Sequence, residues 1–494
     1  MNPLKKLAGQ TIIYGIPSVL LRVLSYLLTP LYTRVLDTAE YGTYVYLYSV
    51  VAFMIVVLTY GMETAFFRFY SKSDNPPKVY NTVFLSILGT STAFVLVTIF
   101  FSSSIATLVG VQGKSDYIVY FGLILGLDAV SSIPFALLRA TGKAARFAAL
   151  RMVNILVNIS FNLLFLIVFP LLFKSGILNG GIADYLHSGD LIQYIFISNL
   201  IASAVTLLLL LPSLSINFQK FSFSLWLKLF KYAFPLLIAG LAGIINETFD
   251  RVLLKHLLPT DVADSQVGIY GACYKISILI TLFIQAFRYA AEPFFFSQAN
   301  NSDSKRVYSL ILTYFVLALS LIFLVTMLFL DLIIVFIGED FRVGRPVIPI
   351  LMIANVFLGI FYNLSIWYKL TNQTIYGAYL SIIGAAVTLL LNLWMIPDYG
   401  YMGSAWATLV CYFVIMVISY KWGQKHYPVN YNLRKIFTFF GLALVLFFVS
   451  KLFDSLSFTT RLVSSFGLFM FYLVVVAFIE QKNLKQLFLK VGKT

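Results

Sequence analysis

The sequence predicts an all-α integral membrane protein of about fourteen transmembrane helices, built as two parallel-repeat six-helix bundles plus two C-terminal helices. Three observations carry this expectation. Of 494 residues, only 11 % are charged and 60 % are hydrophobic, with a mean hydropathy of +0.90; a soluble domain carries about 25 % charged residues. The apolar residues gather in runs long enough to cross about 30 Å of hydrocarbon at about 1.5 Å per residue. The basic residues concentrate in alternate connections between those runs, as the positive-inside rule requires.

The apolar runs lie at 10–31, 43–66, 80–108, 117–138, 147–172, 190–211, 229–250, 268–290, 307–330, 346–368, 375–397, 403–420, 436–452 and 462–480. The eleventh and twelfth are divided only by PDYGYMG, whose Pro and two Gly suit a tight turn. The opening MNPLKKLAGQ imitates the basic region of a signal peptide, but the run behind it contains Arg22 and has no small-residue cleavage pattern, so it reads as a membrane segment. With the N terminus in the cytoplasm, 24 Lys and Arg fall in cytoplasmic connections and tails and 9 on the opposite side; Arg22 and Lys275 lie inside segments. Both termini are then cytoplasmic and the number of segments is even. The C-terminal EQKNLKQLFLKVGKT reads as a basic anchor at the inner leaflet.

The chain echoes itself. YGIP at 14–17 matches YAFP at 232–235, and TRVL at 33–36 matches DRVL at 250–253. Tyr41-Gly42-Thr43-Tyr44 matches Val267-Gly268-Ile269-Tyr270. Leu138-Arg139-Ala140-Thr141-Gly142, followed by Asn162, matches Tyr368-Lys369-Leu370-Thr371-Asn372, followed by Asn392. Six segments separate the copies, and an even separation makes the repeats parallel. The expected organisation is a six-helix lobe at 1–212, a cytoplasmic linker at 213–228, a second lobe at 229–420, and two further helices with a tail at 421–494. Two bundles facing each other suit alternating access to a central cavity.

Polar residues inside the runs are the candidate site, because an ionised group at that depth must face protein or water. Arg22 lies near mid-depth of the first run. Its planar fork suits a phosphate, or it pairs with Glu247 or Asp128. Lys275 is a second candidate cavity cation. Asn154, Asn158 and Asn162 recur every four residues and form one polar stripe, facing either a neighbouring helix or a hydrated cavity. Glu247 and Asp250, three apart, share a face and suit a gate ion pair, a cation-coupling site or solvated helix-end charges. Asp128 sits midway along the fourth run, as a proton relay or a partner of Ser and Thr hydroxyls. Glu63 with Arg68, and Arg288 with Glu292, stand at equivalent ends of segments two and eight, as inner-gate ion pairs or interfacial anchors.

Several classes are excluded or disfavoured. The net charge of +15 is spread between hydrophobic runs and does not build a nucleic-acid surface. Cys273 and Cys411 lie in apolar runs and suggest neither metal nor disulfide. His187, His256 and His426 are far apart, and no GxxxxGK[ST] loop is present for ATP hydrolysis. A membrane glycosyltransferase or ligase would need a larger external domain or an acidic catalytic loop, for which Asp37 with Glu40 in the first outward loop is a weak candidate at best. A non-enzymatic transporter without cofactor is expected, with proton or sodium coupling left open. A non-transporting membrane scaffold is the alternative from another class.

LTPLYTRVLDTAEYGTY, GMETAFFRFYSK, AFRYAAEPFFF, ALLRATGKAARFAALRMVNILVNISFNLLF and YKLTNQTIYGAYLSIIGAAVTLLLNLWMIPDYGYMGSAWAT resemble passages of the bacterial polysaccharide flippases. These are the O-antigen and capsule-unit transporters of the multidrug/oligosaccharidyl-lipid/polysaccharide exporter superfamily. The resemblance implies two six-helix lobes with two extra helices in the bacterial inner membrane. It implies export of an undecaprenyl-diphosphate-linked glycan to the outer leaflet. The implied partners are a lipid-linked anionic glycan, membrane lipids, and polymerase or assembly proteins. LRVLSY resembles the cavity-lining first helix of the flippase for a lipid-linked peptidoglycan precursor, which carries a cavity role onto Arg22 and a related one onto Arg34. Glu247 and Asp250 depart from the family's cationic cavity. A multidrug cation antiporter of the same superfamily is the alternative.

Overall fold

The computed structural model describes residues 23–176, 190–213, 217, 220–298 and 303–491. Among them the secondary structure is helical, with no strand. Twelve described helices are long and apolar enough to cross a membrane. The protein is therefore an all-α, multi-pass membrane protein.

The first described turn leads into α1, Thr29–Val35, with Pro30 in its first turn, where a missing N–H costs nothing. Helix α2, Thr38–Thr59, starts at a capping box. Asp37 Oδ1 accepts from the N–H groups of Ala39 and Glu40 at 2.8 Å, and Glu40 returns a carboxylate to the Asp37 N–H at 3.1 Å. The acidic pair of the first outward loop is thus a helix cap. Tyr60 and Gly61, both with positive φ, break the second run, and α3, Met62–Tyr70, continues it.

The third run also breaks. Helix α4, Pro76–Phe100, stops at Phe101 and a seven-residue helix, Ser102–Leu108, follows. Three consecutive serines there compete locally for backbone hydrogen bonds. Next come α5, Ser115–Ala140, and α6, Ala144–Leu163, prolonged to Lys174 through a π-turn at Leu164–Val168. Helices α7, Leu191–Leu210, α8, Phe223–Leu257, and α9, Thr260–Gln298, continue the chain. Helices α8 and α9 overrun the expected segments at both ends. They are followed by α10, Ser304–Leu328, and α11, Val347–Leu364. Helix α12, Ile375–His426, spans 52 residues but is non-helical at Gly400, with φ 53° and ψ −136°. A side chain would be strained there, and the break divides α12 into the expected eleventh and twelfth runs. Ser404 Oγ donates to Asn392 Oδ1 across it at 2.9 Å. Helices α13, Leu433–Lys451, and α14, Phe458–Val491, complete the chain.

The chain forms two compact units. One comprises Met1–Ala272, Ile337–Val343 and Ala378–Ala407. Its core joins α3, α4, α5 and α8 around Met62, Phe66, Phe84, Ile133 and Leu229. Lipid is as apolar as these side chains, so close packing rather than exclusion from water joins the helices. Small residues allow it. A Cβ on Gly126 would lie 2.5 Å from Val95 Cγ2, and one on Gly122 would overlap Thr98, so the GLILG turn of α5 seats α4.

The two echoed YGTY and VGIY passages meet in this unit. A Cβ on Gly42 would overlap the carbonyl oxygen of Asp264, and one on Gly268 would overlap that of Thr38. Each carbonyl lies four residues before the opposite glycine, so the contact is reciprocal. Thr38 and Ser265 hydroxyls join beside it at 2.8 Å. The other unit comprises Cys273–Phe336, Gly344–Gly377 and Thr408–Thr494. Here α10 packs on α11, α13 and α14, with Phe323 edge-on to Phe440 and Phe447 at 5.9 and 5.8 Å.

Candidate functional site

The asparagine stripe of α6 is an intramembrane polar seam shared with α1, α5 and α7. Asn162 is buried; its Oδ1 accepts from Tyr32 Oη at 2.9 Å. Its Nδ2 donates to Asn158 O at 2.8 Å and Oδ1 at 2.7 Å. Asn154 Nδ2 donates to Thr206 Oγ1 at 2.9 Å. Ser203 Oγ donates to Asp128 Oδ1 at 2.8 Å, and Asn199 Nδ2 to Tyr48 Oη at 2.7 Å. Asn199, Ser203 and Thr206 line one face of α7 at spacings of four and three. That spacing is hidden among the apolar residues of the sixth run, and Arg151, at the start of the fifth, counts in the sequence only as a cytoplasmic basic residue.

Arg151 stands three residues before Asn154, on the same face of α6. Its guanidinium lies 4.1 Å from the Phe135 ring centroid and acts electrostatically on Asp128. Both side chains keep accessible surface although they belong to membrane-crossing helices. A carboxylate and a guanidinium so placed, beside hydroxyls and amides, line a polar surface between helices. Such a surface can receive an anionic group at Arg151 and hydroxyl-bearing groups along the amides.

The remaining candidates divide. Arg22 lies outside the described residues. Lys275 is half-buried on α9. Asp250 and Glu247 do not share surroundings. Asp250 is 4 % exposed, whereas Glu247 is exposed. Tyr270 Oη donates to Asp250 Oδ2 at 2.6 Å, and Arg251 Nη1 donates to Asp250 Oδ1 at 3.0 Å and to Glu247 O at 2.7 Å. Arg251 therefore neutralises Asp250. Arg34 is exposed and donates to Pro30 O, one turn back in α1, at 2.8 Å.

Glu63 pairs with Arg139 at 2.7 Å, and Arg68 stacks on Tyr232 at 4.3 Å. Arg288 stacks on Tyr362 at 4.1 Å, and Glu292 pairs with Lys369. Glu63 and Arg68, and likewise Arg288 and Glu292, each reach another helix instead of pairing with one another. At the opposite end of the first unit, Asp190 takes hydrogen bonds from Lys114 and Tyr117. Burial works to raise its carboxyl, but those bonds outweigh it and hold the group below the ordinary carboxylate value. Among the described residues, no group of three or more His, Cys, Asp or Glu side chains could hold a metal.

Membrane-crossing helices that share a buried polar seam define a polytopic membrane protein. More narrowly, the chain belongs to the family described as polysaccharide biosynthesis protein, whose model matches residues 7–299. It is 20 % identical over 410 residues to a protein of Haloferax volcanii named probable low-salt glycan biosynthesis flippase, covering 82 % of this chain and 81 % of that one. Among solved structures it resembles the lipid II flippase MurJ in an inward closed conformation. The TM-score is 0.73 at 16 % identity, covering 96 % of this chain and 100 % of that one. It also resembles an inward-facing multidrug resistance MATE family transporter of the MOP superfamily, with a TM-score of 0.58 at 14 % identity, covering 86 % and 94 %. These structural likenesses concern the fold.

Proposed function

We infer that this protein is a flippase for a lipid-linked glycan. The observation that carries the reading is the charged polar seam of Arg151, Asp128, Asn154 and Asn158 within membrane-crossing helices. Family membership and the likeness to a glycan-biosynthesis flippase support it. In this account the cargo is an undecaprenyl-diphosphate-linked oligosaccharide or repeat unit. It moves from the cytoplasmic to the outer leaflet of a bacterial plasma membrane by alternating access between two six-helix lobes, with both termini cytoplasmic. Arg22, Arg151 and Lys275 attract the diphosphate, and the amides of α6 meet sugar hydroxyls. Glu63, Arg68, Arg288 and Glu292 serve the inner gate. A hydrated path spares the glycan most of its desolvation cost. An inside-negative potential favours outward movement of each negative charge by about 2.3 kcal/mol per 100 mV; proton or sodium return through Asp128 is a further proposal.

The multidrug cation antiporter is the second reading, favoured by the accessible Asp128 carboxylate. Binding separates the two. Purified full-length protein is titrated with a lipid-diphosphate-linked oligosaccharide and, separately, with an organic cation. The proposal expects saturable glycolipid binding, weakened in Arg22→Ala. Saturable cation binding without glycolipid binding overturns it.

A further inference from the structure

A cavity of about 600 Å³ opens in the second unit between the start of α10 and the connection from α12 to α13. Its rim is cationic: Lys305 and Arg306 come from the first turn of α10 and Lys435 from the first turn of α13. The carboxylate at its edge is Glu480 of α14, already held by Lys435 and by Tyr314 Oη at 2.9 Å. Lys305 and Arg306 are exposed, and Lys305 Nζ sits 5.0 Å from the Tyr427 ring centroid.

The cavity is built rather than incidental. Ser309 Oγ donates to Asn430 O at 2.7 Å, and Gln424 Nε2 donates to Val429 O at 2.7 Å. These bonds fix the 428–432 connection against α10, while Asn432 caps α13 at the Lys435 N–H, 3.1 Å away. Both contributing connections fall on the side that the basic-residue count assigns to the inner leaflet.

One and two turns along α10 from Arg306, Leu310 and Tyr314 line the same cavity and are 46 % and 41 % exposed. Cations at a helix start, followed by exposed apolar surface on the same face, match a phosphate headgroup with its hydrocarbon chain. They do not match a free anion, which has no use for Leu310. We propose that this cavity holds the phosphate of an anionic phospholipid of the surrounding leaflet, clasped by Lys305, Arg306 and Lys435, with its acyl chain along Leu310 and Tyr314. A lipid so placed joins α10, α13 and α14 at their membrane surface.

The test uses full-length protein in nanodiscs of neutral phosphatidylcholine containing a photoactivatable phosphatidylglycerol, with cross-linked peptides mapped by mass spectrometry. Label is expected on peptides 303–314 and 427–437, and a photoactivatable phosphatidylcholine should leave them unlabelled. Lys305→Gln with Arg306→Gln, which spares the Lys435–Glu480 pair, should lower that label by roughly tenfold or more, since a basic residue near the surface contributes on the order of a fivefold change. The yield of folded protein and labelling elsewhere should stay unchanged. Equal labelling with the neutral probe, or undiminished labelling of the double variant, overturns the site. Displacement by inorganic phosphate, or preferential displacement by a polyprenyl diphosphate over unlabelled phosphatidylglycerol, overturns the assignment to a resident phospholipid. The first result would indicate a free-anion site and the second a site for a transported lipid.

Discussion

The two copies of the LRATG passage share their ends and differ in their middles. Thr141 Oγ1 donates to Leu137 O at 2.8 Å, and Thr371 Oγ1 to Trp367 O at 2.9 Å. Gly142 and Asn372 then both take positive φ, 72° and 56°. Arg139 pairs with Glu63, and Lys369 with Glu292. Twenty residues beyond these turns, Asn162 and Asn392 each donate Nδ2 to the carbonyl four residues back, at 2.8 Å. Between turn and asparagine the copies part. Arg151, Asn154 and Asn158 of the first correspond to Ser381, Gly384 and Thr388 of the second. Asn246 fills the space that a side chain on Gly384 would need, donating to Ser381 O at 3.1 Å and accepting from Thr388 Oγ1 at 3.2 Å. One scaffold thus carries a charged seam in the first copy and a neutral, self-satisfied one in the second. A repeat keeps what turns and anchors a helix, and is free to place chemistry in only one copy.

The largest expected effect is on that difference. Arg151→Gln should lower glycolipid transport by roughly 100-fold through loss of a charge-assisted contact worth about 2–3 kcal/mol. Ser381→Ala should change it less than about twofold. Initial rates at equal protein level decide; equal losses would erase the distinction between the copies. Next, Gly42→Val and Gly268→Val should each destabilise the protein by about 2–3 kcal/mol, because overpacking forces the backbones apart. Their reciprocal contact makes the double variant non-additive, measured as thermal unfolding in detergent. A silent Gly268→Val would show that the second copy does not need the close approach.

The ion pairs should matter less. Glu63→Gln and Glu292→Gln should each cost about 0.5–1 kcal/mol, as half-exposed pairs do. Glu292→Gln should cost more, since Lys369 at 27 % exposure is less solvated than Arg139 at 45 %. Smallest is Asp190. Its folded carboxyl is held low, so the stability it adds is complete above the ordinary value of about 3.9 and is lost as pH falls through the folded value. Asp190→Asn should flatten that acid-side decline in unfolding temperature; an unchanged profile would remove Asp190 as its source.

The membrane class, the runs and the Gly400 division were legible because each depends on local composition or a single turn residue. The breaks at Tyr60–Gly61 and Phe101 were not, since both lie inside apolar sequence that hydropathy alone reads as continuous. The stripe of Asn154, Asn158 and Asn162 was visible from its period, but its partners were not. Asn199, Ser203 and Thr206 need α7 beside α6, and the sequence does not state which helices are neighbours. Arg151 is one of the 24 basic residues counted to the cytoplasmic side because it lies near the start of a run, although its register with Asn154 points inward. Asp250 and Glu247 show the opposite failing. Spacing placed them together, while Arg251, next in the chain, and Tyr270, brought in by the fold, hold Asp250 in the interior.

The most direct measurement is transfer of a fluorescent lipid-diphosphate-linked oligosaccharide between leaflets of proteoliposomes, for wild type beside Arg151→Gln. The account predicts transfer by the wild type and near-background transfer by the variant. Wild-type transfer no faster than in protein-free vesicles, in vesicles that do exchange an organic cation, would contradict it.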